Sequence, residues 1–135
     1  GAEIYLHVFK YGRKEQPALK DYCKEVHYYK RNTSFLYGLT HIPYIVRSRN
    51  NASLIKNLER IKAPILFEGL HTTSLIRKGL FKDRNLLVRT HNVEHQYYNE
   101  LARHESNIAK KFYYWIESVR LKNYEKVLRQ LLHPM

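Results

Sequence analysis

Ile65-Leu66-Phe67-Glu68-Gly69-Leu70-His71-Thr72 and Leu86-Leu87-Val88-Arg89-Thr90-His91-Asn92-Val93-Glu94 have the same build. In each, an apolar run stops abruptly in a polar loop that carries a histidine and opens a helix. A short apolar run bounded by turn signals and followed by helical spacing reads as a buried strand. Two such units in succession call for parallel pairing through a crossover, in an α/β fold with helices on both faces of the sheet. In open α/β sheets the ligand crevice lies outside the carboxyl ends of the strands, so the two loops are candidate site elements.

The same signals repeat upstream. Ile4, Leu6 and Val8 alternate with Tyr5, His7 and Phe9 and stop at Gly12, which reads as a first strand and a turn. Pro17 suits the start of a short helix through Tyr22. Glu25 to Lys30, rich in valine and tyrosine, reads as a second strand. From Asn32 to Asn50 the pattern is poorest, and Pro43 leaves a broken helix and a loop equally open. Leu54, Ile55, Leu58 and Ile61 recur at helical spacing until Pro64. Ser106 is placed to cap a last helix, on which Ile108, Phe112, Ile116, Val119, Tyr124, Val127, Leu128 and Leu131 form one apolar stripe.

The 135 residues suffice for one domain. Lysine and arginine number 24 against 12 acidic residues, a formal charge of +12, which directs attention to anionic partners: phosphates, nucleic acid or an acidic membrane surface. Cys23 is the only cysteine, so no internal disulfide framework exists and a reducing compartment fits. No apolar run reaches the ~20 residues that span a bilayer. These features read as a soluble cytoplasmic domain.

Each loop has specific chemistry to offer. Gly69 allows a sharp turn after the strand, and His71 and Thr72 fall at a helix start, where free N–H groups and hydroxyls suit an anion or a sugar hydroxyl. Capping of the helix by Thr72 or Thr73 is the simpler account of those hydroxyls. Asn92 is placed to cap a helix from Val93 to His104, with Glu94 in the first turn, where the helix dipole favours an acid. Arg89 and His91 have no such explanation. His91-Asn92-Val93-Glu94-His95 also fits the H-x-x-E-H pattern of a zinc peptidase, with Glu117 or Glu125 as third ligand. That chemistry needs both histidines on one helical face, whereas a cap at Asn92 leaves His91 outside the helix.

The chain resembles the N-terminal domain of bacterial retaining GT-B glycosyltransferases, group 1 type. The resemblance is carried by residues 6–13, 23–30 and 64–72, by the V-R-T-H-N-V-E-H-Q-Y-Y run at 88–98, and by Glu117 through Glu125. It implies a Rossmann-like, mostly parallel sheet flanked by helices, and sugar transfer from a nucleotide-sugar donor to a glycan or lipid-linked acceptor without a metal or other cofactor. By position it implies His71, His91 and Glu94 as catalytic residues and Gly69, Thr72, Arg89, Asn92, Tyr11 and Arg13 as substrate-binding ones.

Two family elements are missing: a strand with a glycine-rich loop before Glu3, and a second Rossmann-like domain that holds the donor. Residues 3–135 thus read as a domain fragment, inactive alone, with Gly1-Ala2 a cloning remnant. The missing strand would lie between the strands at Glu3 and Ile65, so direct pairing of those strands or a second copy of the chain in a homodimer is expected to close the gap. Lys10, Arg13, Lys14, Lys20, Lys24, Lys30 and Arg31 are a candidate anionic-membrane surface, giving a peripheral location at the inner face of the plasma membrane. A nucleic-acid-binding module is the rival reading of the charge and the 12 tyrosines, but the basic residues are spread through every element and no known motif is present.

Overall fold

The computed structural model describes residues 1–34 and 40–133, so the middle of the poorly patterned Asn32–Asn50 segment lies outside the described residues. Strands β1 (Tyr5–Lys10), β2 (Glu25–Lys30), β3 (Ile65–Glu68) and β4 (Leu86–Arg89) alternate with helices. Helices α1 (Tyr44–Arg47), α2 (Ala52–Glu59) and α3 (Ser74–Arg77) are short, and α4 (Glu94–His104) and α5 (Ile108–Leu132) form a C-terminal hairpin. A 3₁₀ turn, Pro17–Asp21, stands where the short helix was expected.

Pairing is parallel, as the strand–helix alternation requires: Tyr5 faces Glu25 in one pair, and Ile65 faces Leu86 in the other. Among the described residues the four strands form two separate two-stranded sheets, β1–β2 and β3–β4. The expected direct pairing of β1 with β3 is therefore corrected, while the α/β class with parallel strands stands. The pairs meet through side chains instead of backbone. Tyr29 and Phe67 belong to one buried cluster with Val46, Leu54, Leu75 and Leu121, and Phe9 and Val88 pack against it.

The expected stripe on α5 is only partly buried. Leu121, Tyr124 and Leu128 are in the core together with Glu117 and Ser118, whereas Ile108, Phe112, Val119 and Leu131 are exposed. Helical spacing selects positions that share a face, but the neighbouring elements decide which face is covered. The cap of α5 is Asn107, whose side-chain oxygen accepts from the Lys110 N–H at 3.0 Å, in place of Ser106. At ~1.5 Å per residue, α5 runs about 37 Å, enough to reach several elements.

It reaches them through polar groups. The carboxylate of Glu117, with no solvent exposure, accepts the Tyr44 N–H at the start of α1 at 2.9 Å and the Arg120 side chain at 2.8 Å. The Tyr124 and Thr73 hydroxyls are 2.9 Å apart and hydrogen-bonded. Glu125 accepts from the backbone and pairs with the ring of His95 on α4. A buried carboxylate must keep its donors, so Glu117→Ala is expected to lower unfolding stability by about 3 kcal/mol. Glu117→Gln keeps an acceptor for the Tyr44 N–H and is expected to cost about 1 kcal/mol. Urea denaturation of the two variants measures both.

Candidate functional site

Gly69 follows β3 directly, and its N–H donates to the Arg89 carbonyl at the end of β4. Its φ of 92° with ψ of 151° belongs to a region that other residues rarely adopt. The His71 ring closes over it so tightly that an added Cβ would sit 2.5 Å from Cε1 and 2.8 Å from Nδ1. Gly69 is therefore the seat of the His71 imidazole. Thr72 and Thr73 turn their hydroxyls inward, donating to the carbonyls of Gly69 and Leu70 at 2.8 and 2.6 Å. Neither hydroxyl caps the helix.

Around His71 the charges are positive. Burial lowers its pKa to about 4, and Arg49, Arg31 and His91 push the same way. At neutral pH His71 is thus a neutral imidazole with both a donor and an acceptor nitrogen. Arg31 follows β2, stacks over the rings of Tyr11 at 4.6 Å and Tyr44 at 5.5 Å, and donates Nε and Nη2 to Ser48 Oγ at 3.2 and 3.0 Å. Arg49, two residues beyond α1, is tethered by one bond from Nη1 to the Ile45 carbonyl at 2.6 Å. Burial and then the Arg31 charge lower its pKa to about 10, which leaves it cationic at neutral pH.

The second loop contributes a carboxylate. Glu94 opens α4, as expected, and burial followed by the nearby Glu125 charge raises its pKa, with Arg49 opposing. Asn92 does not cap α4. The cap position is Val93, which lends no side chain, so the expected capping role is corrected. Asn92 instead lines a cavity of about 220 Å³ with Thr90, Glu125 and Arg129, and none of Arg31, Arg49 or His71 borders it.

His91 and Arg89 both turn to Glu68, at 3.0 and 3.4 Å. Arg89 lies on the exposed face of the β3–β4 pair, beside Leu66 and Leu87. Tyr11 is exposed and forms the outer surface of the Arg31 stack, while Arg13 is exposed in the turn after β1. The structure thus gathers His71, Glu94, Tyr11, Arg31 and Arg49, with His91 in electrostatic reach of His71. The H-x-x-E-H histidines hold different carboxylates, Glu68 for His91 and Glu125 for His95. Among the described residues no group of three or more His, Cys, Asp or Glu side chains is placed to hold a metal ion.

Sequence reasoning missed Arg49 altogether and assigned Arg31 to an outer basic surface. The carboxyl-end rule that selected the β3 and β4 loops applies equally to β2 and would have selected Arg31. No comparable signal marks Arg49, which lies in the segment with the poorest pattern. Of the expected membrane-facing cations, Lys10 and Lys24 are paired with Glu15 and Glu3 at 2.7 and 3.0 Å.

No family model and no solved structure matches the chain. Over 112 residues it is 32% identical to the "Uncharacterized 44.6 kDa protein in cps region" of Klebsiella pneumoniae, an alignment that takes in 80% of this chain and 29% of that protein. The chain thus spans less than a third of the length of this distant homologue. No helix among the described residues is long and apolar enough to cross a membrane.

Two consequences follow from the histidine environments. His7, half-buried and stacked on His27, also has its pKa lowered to about 4, by burial first. Both folded values lie below the ordinary 6.5, so the unfolded chain takes up protons first. Their stabilising contribution is intact above pH 6.5 and is lost as the pH falls toward 4; thermal unfolding across this range is expected to show it, with a shallower slope in His71→Asn. Gly69→Ala forces the His71 ring out of its seat and is expected to cost about 1–3 kcal/mol. In that variant the NMR titration of His71 moves up toward 6.5.

Proposed function

We propose that this chain is the acceptor-side domain of a glycosyltransferase of polysaccharide biosynthesis, working as part of a longer protein. The observation that carries the reading is the similarity to a protein of a cps, or capsule polysaccharide, region across most of this chain. The residue cluster fits the chemistry. Sugar transfer requires an acceptor hydroxyl to be oriented and relieved of its proton, in a site that tolerates developing negative charge. A neutral His71 can accept a hydrogen bond from that hydroxyl, and Glu94, whose pKa burial raises, is better suited to take a proton than an ordinary exposed carboxylate. The parallel strand pairs and the long C-terminal helix are consistent with a partial Rossmann-like fold, and in the group 1 GT-B reading a second domain supplies the nucleotide sugar.

In this reading the open edges of the two strand pairs receive a further strand, from the longer protein or from a second copy of the chain. Peripheral attachment to an anionic membrane is a role for the basic residues near β1 and β2 that carry no carboxylate partner, not for the paired Lys10 and Lys24.

Saturation-transfer NMR with acidic and neutral capsular oligosaccharides tests the acceptor role on this chain directly. Contacts from the sugar ring protons are expected, with at least tenfold weaker binding in His71→Ala. An absence of glycan contacts together with saturable, length-dependent RNA binding would replace this reading with a nucleic-acid-binding one.

A further inference from the structure

Arg31 and Arg49 stand in an arrangement that packing alone does not explain. Both are partly buried, both lie in electrostatic reach of His71, and the Arg31 guanidinium bonds the Ser48 hydroxyl, one residue before Arg49. Two like charges brought together and partly desolvated oppose folding unless an anion joins them. Four other arginines meet carboxylates, Arg60 with Glu25, Arg89 with Glu68, Arg103 with Glu100 and Arg120 with Glu117, while Arg77 bonds the His41 ring and Arg84 the Leu58 carbonyl. Among the described residues neither Arg31 nor Arg49 has such a salt bridge, although Glu94 is near enough to influence Arg49.

Their anchoring is also one-sided. Arg31 spends Nε and Nη2 on a single oxygen, Ser48 Oγ, and its plane is held by Tyr11 and Tyr44. Among the described residues Arg49 spends only Nη1, on the Ile45 carbonyl. A guanidinium has five N–H donors, so both heads keep donors for a ligand, while the Arg31 plane is held by two rings and the Arg49 head by one bond. Beside them His71 presents a neutral ring with a donor nitrogen, and a bound anion would offset the positive charges that add to burial in lowering its pKa.

We propose that Arg31, Arg49 and His71 form a subsite for a phosphoryl group carried by the substrate. Two arginines match the two negative charges and the three outward oxygens of a phosphate ester, whereas a carboxylate offers one charge and is satisfied by a single fork. The proposal rests on the glycosyl-transfer reading only for the rest of the ligand. The phosphoryl group could belong to a phosphorylated acceptor or to a nucleotide diphosphate, and both present the same chemistry to this cleft.

Isothermal titration of this chain at 150 mM NaCl with inorganic pyrophosphate, glucose 1-phosphate, UDP, glucuronate and glucose tests it. Pyrophosphate and at least one of the two phosphate esters are expected to bind saturably, glucuronate at least tenfold more weakly, and glucose not at all. Arg49→Met and Arg31→Met are each expected to weaken binding 10- to 100-fold, Arg49→Lys less, and Arg103→Met, on the exposed side of α4, less than twofold. Tighter binding of glucose 1-phosphate assigns the group to the acceptor, and tighter binding of UDP assigns it to the donor. No phosphate binding, equal affinity for glucuronate, or an equal loss in Arg103→Met overturns the subsite. Thermal unfolding of each variant separates lost binding from lost folding, and the two arginine sites give independent measurements. Phosphate binding without any glycan contact would leave the subsite standing and remove the glycosyl-transfer reading, so the two can fail separately.

Discussion

The hydrogen bond from the Tyr44 N–H to the buried Glu117 carboxylate is the constraint on which the cleft depends. A carboxylate without solvent exposure is tolerable only with donors in place, and here one donor is the free N–H at the start of α1. This bond sets α1 against α5. Helix α1 in turn supplies Ser48, which orients Arg31, and the Ile45 carbonyl, which tethers Arg49. A single buried acid therefore positions two cations that it does not touch.

The other polar groups of α5 act in the same way on the other loops. Tyr124 meets Thr73 just after the His71 turn, and Glu125 holds His95 at the start of α4, next to Glu94. The result is a long helix whose inward face reads Glu117, Leu121, Tyr124, Glu125 and Leu128, at spacings of three and four residues. Apolar members fill the core while polar members take up donors and acceptors that short elements leave unmet. Short helices and four-residue strands have many such ends for their length, which is why a polar seam, not a purely apolar one, suits this fold.

The cluster around His71 combines opposite pKa tendencies. Burial keeps His71 and Arg49 below their ordinary values and holds Glu94 above its own, so each group moves toward its neutral form. For His71 the cationic surroundings add to burial, and for Glu94 the neighbouring Glu125 does. A neutral imidazole and an acid of raised pKa beside fixed guanidiniums suit handling of a hydroxyl and an anion together.

The sequence by itself determined the local elements and the parallel direction of their pairing. Apolar runs ended by Gly12, Gly69 and Pro64 mark strands and stops, and strand–helix alternation requires parallel neighbours, because these preferences act within a few residues. It also located two of the loops that form the cleft. Only the tertiary structure decided that the strands form two pairs sharing side-chain packing, that Asn107 and not Ser106 caps α5, and that Ile108 and Phe112 face outward. It alone brought Arg31, Arg49, His71 and Glu94 together. These residues stand on four different segments, and their approach depends on how α1 and α4 seat on α5, a matter of packing and buried hydrogen bonds that no local pattern encodes.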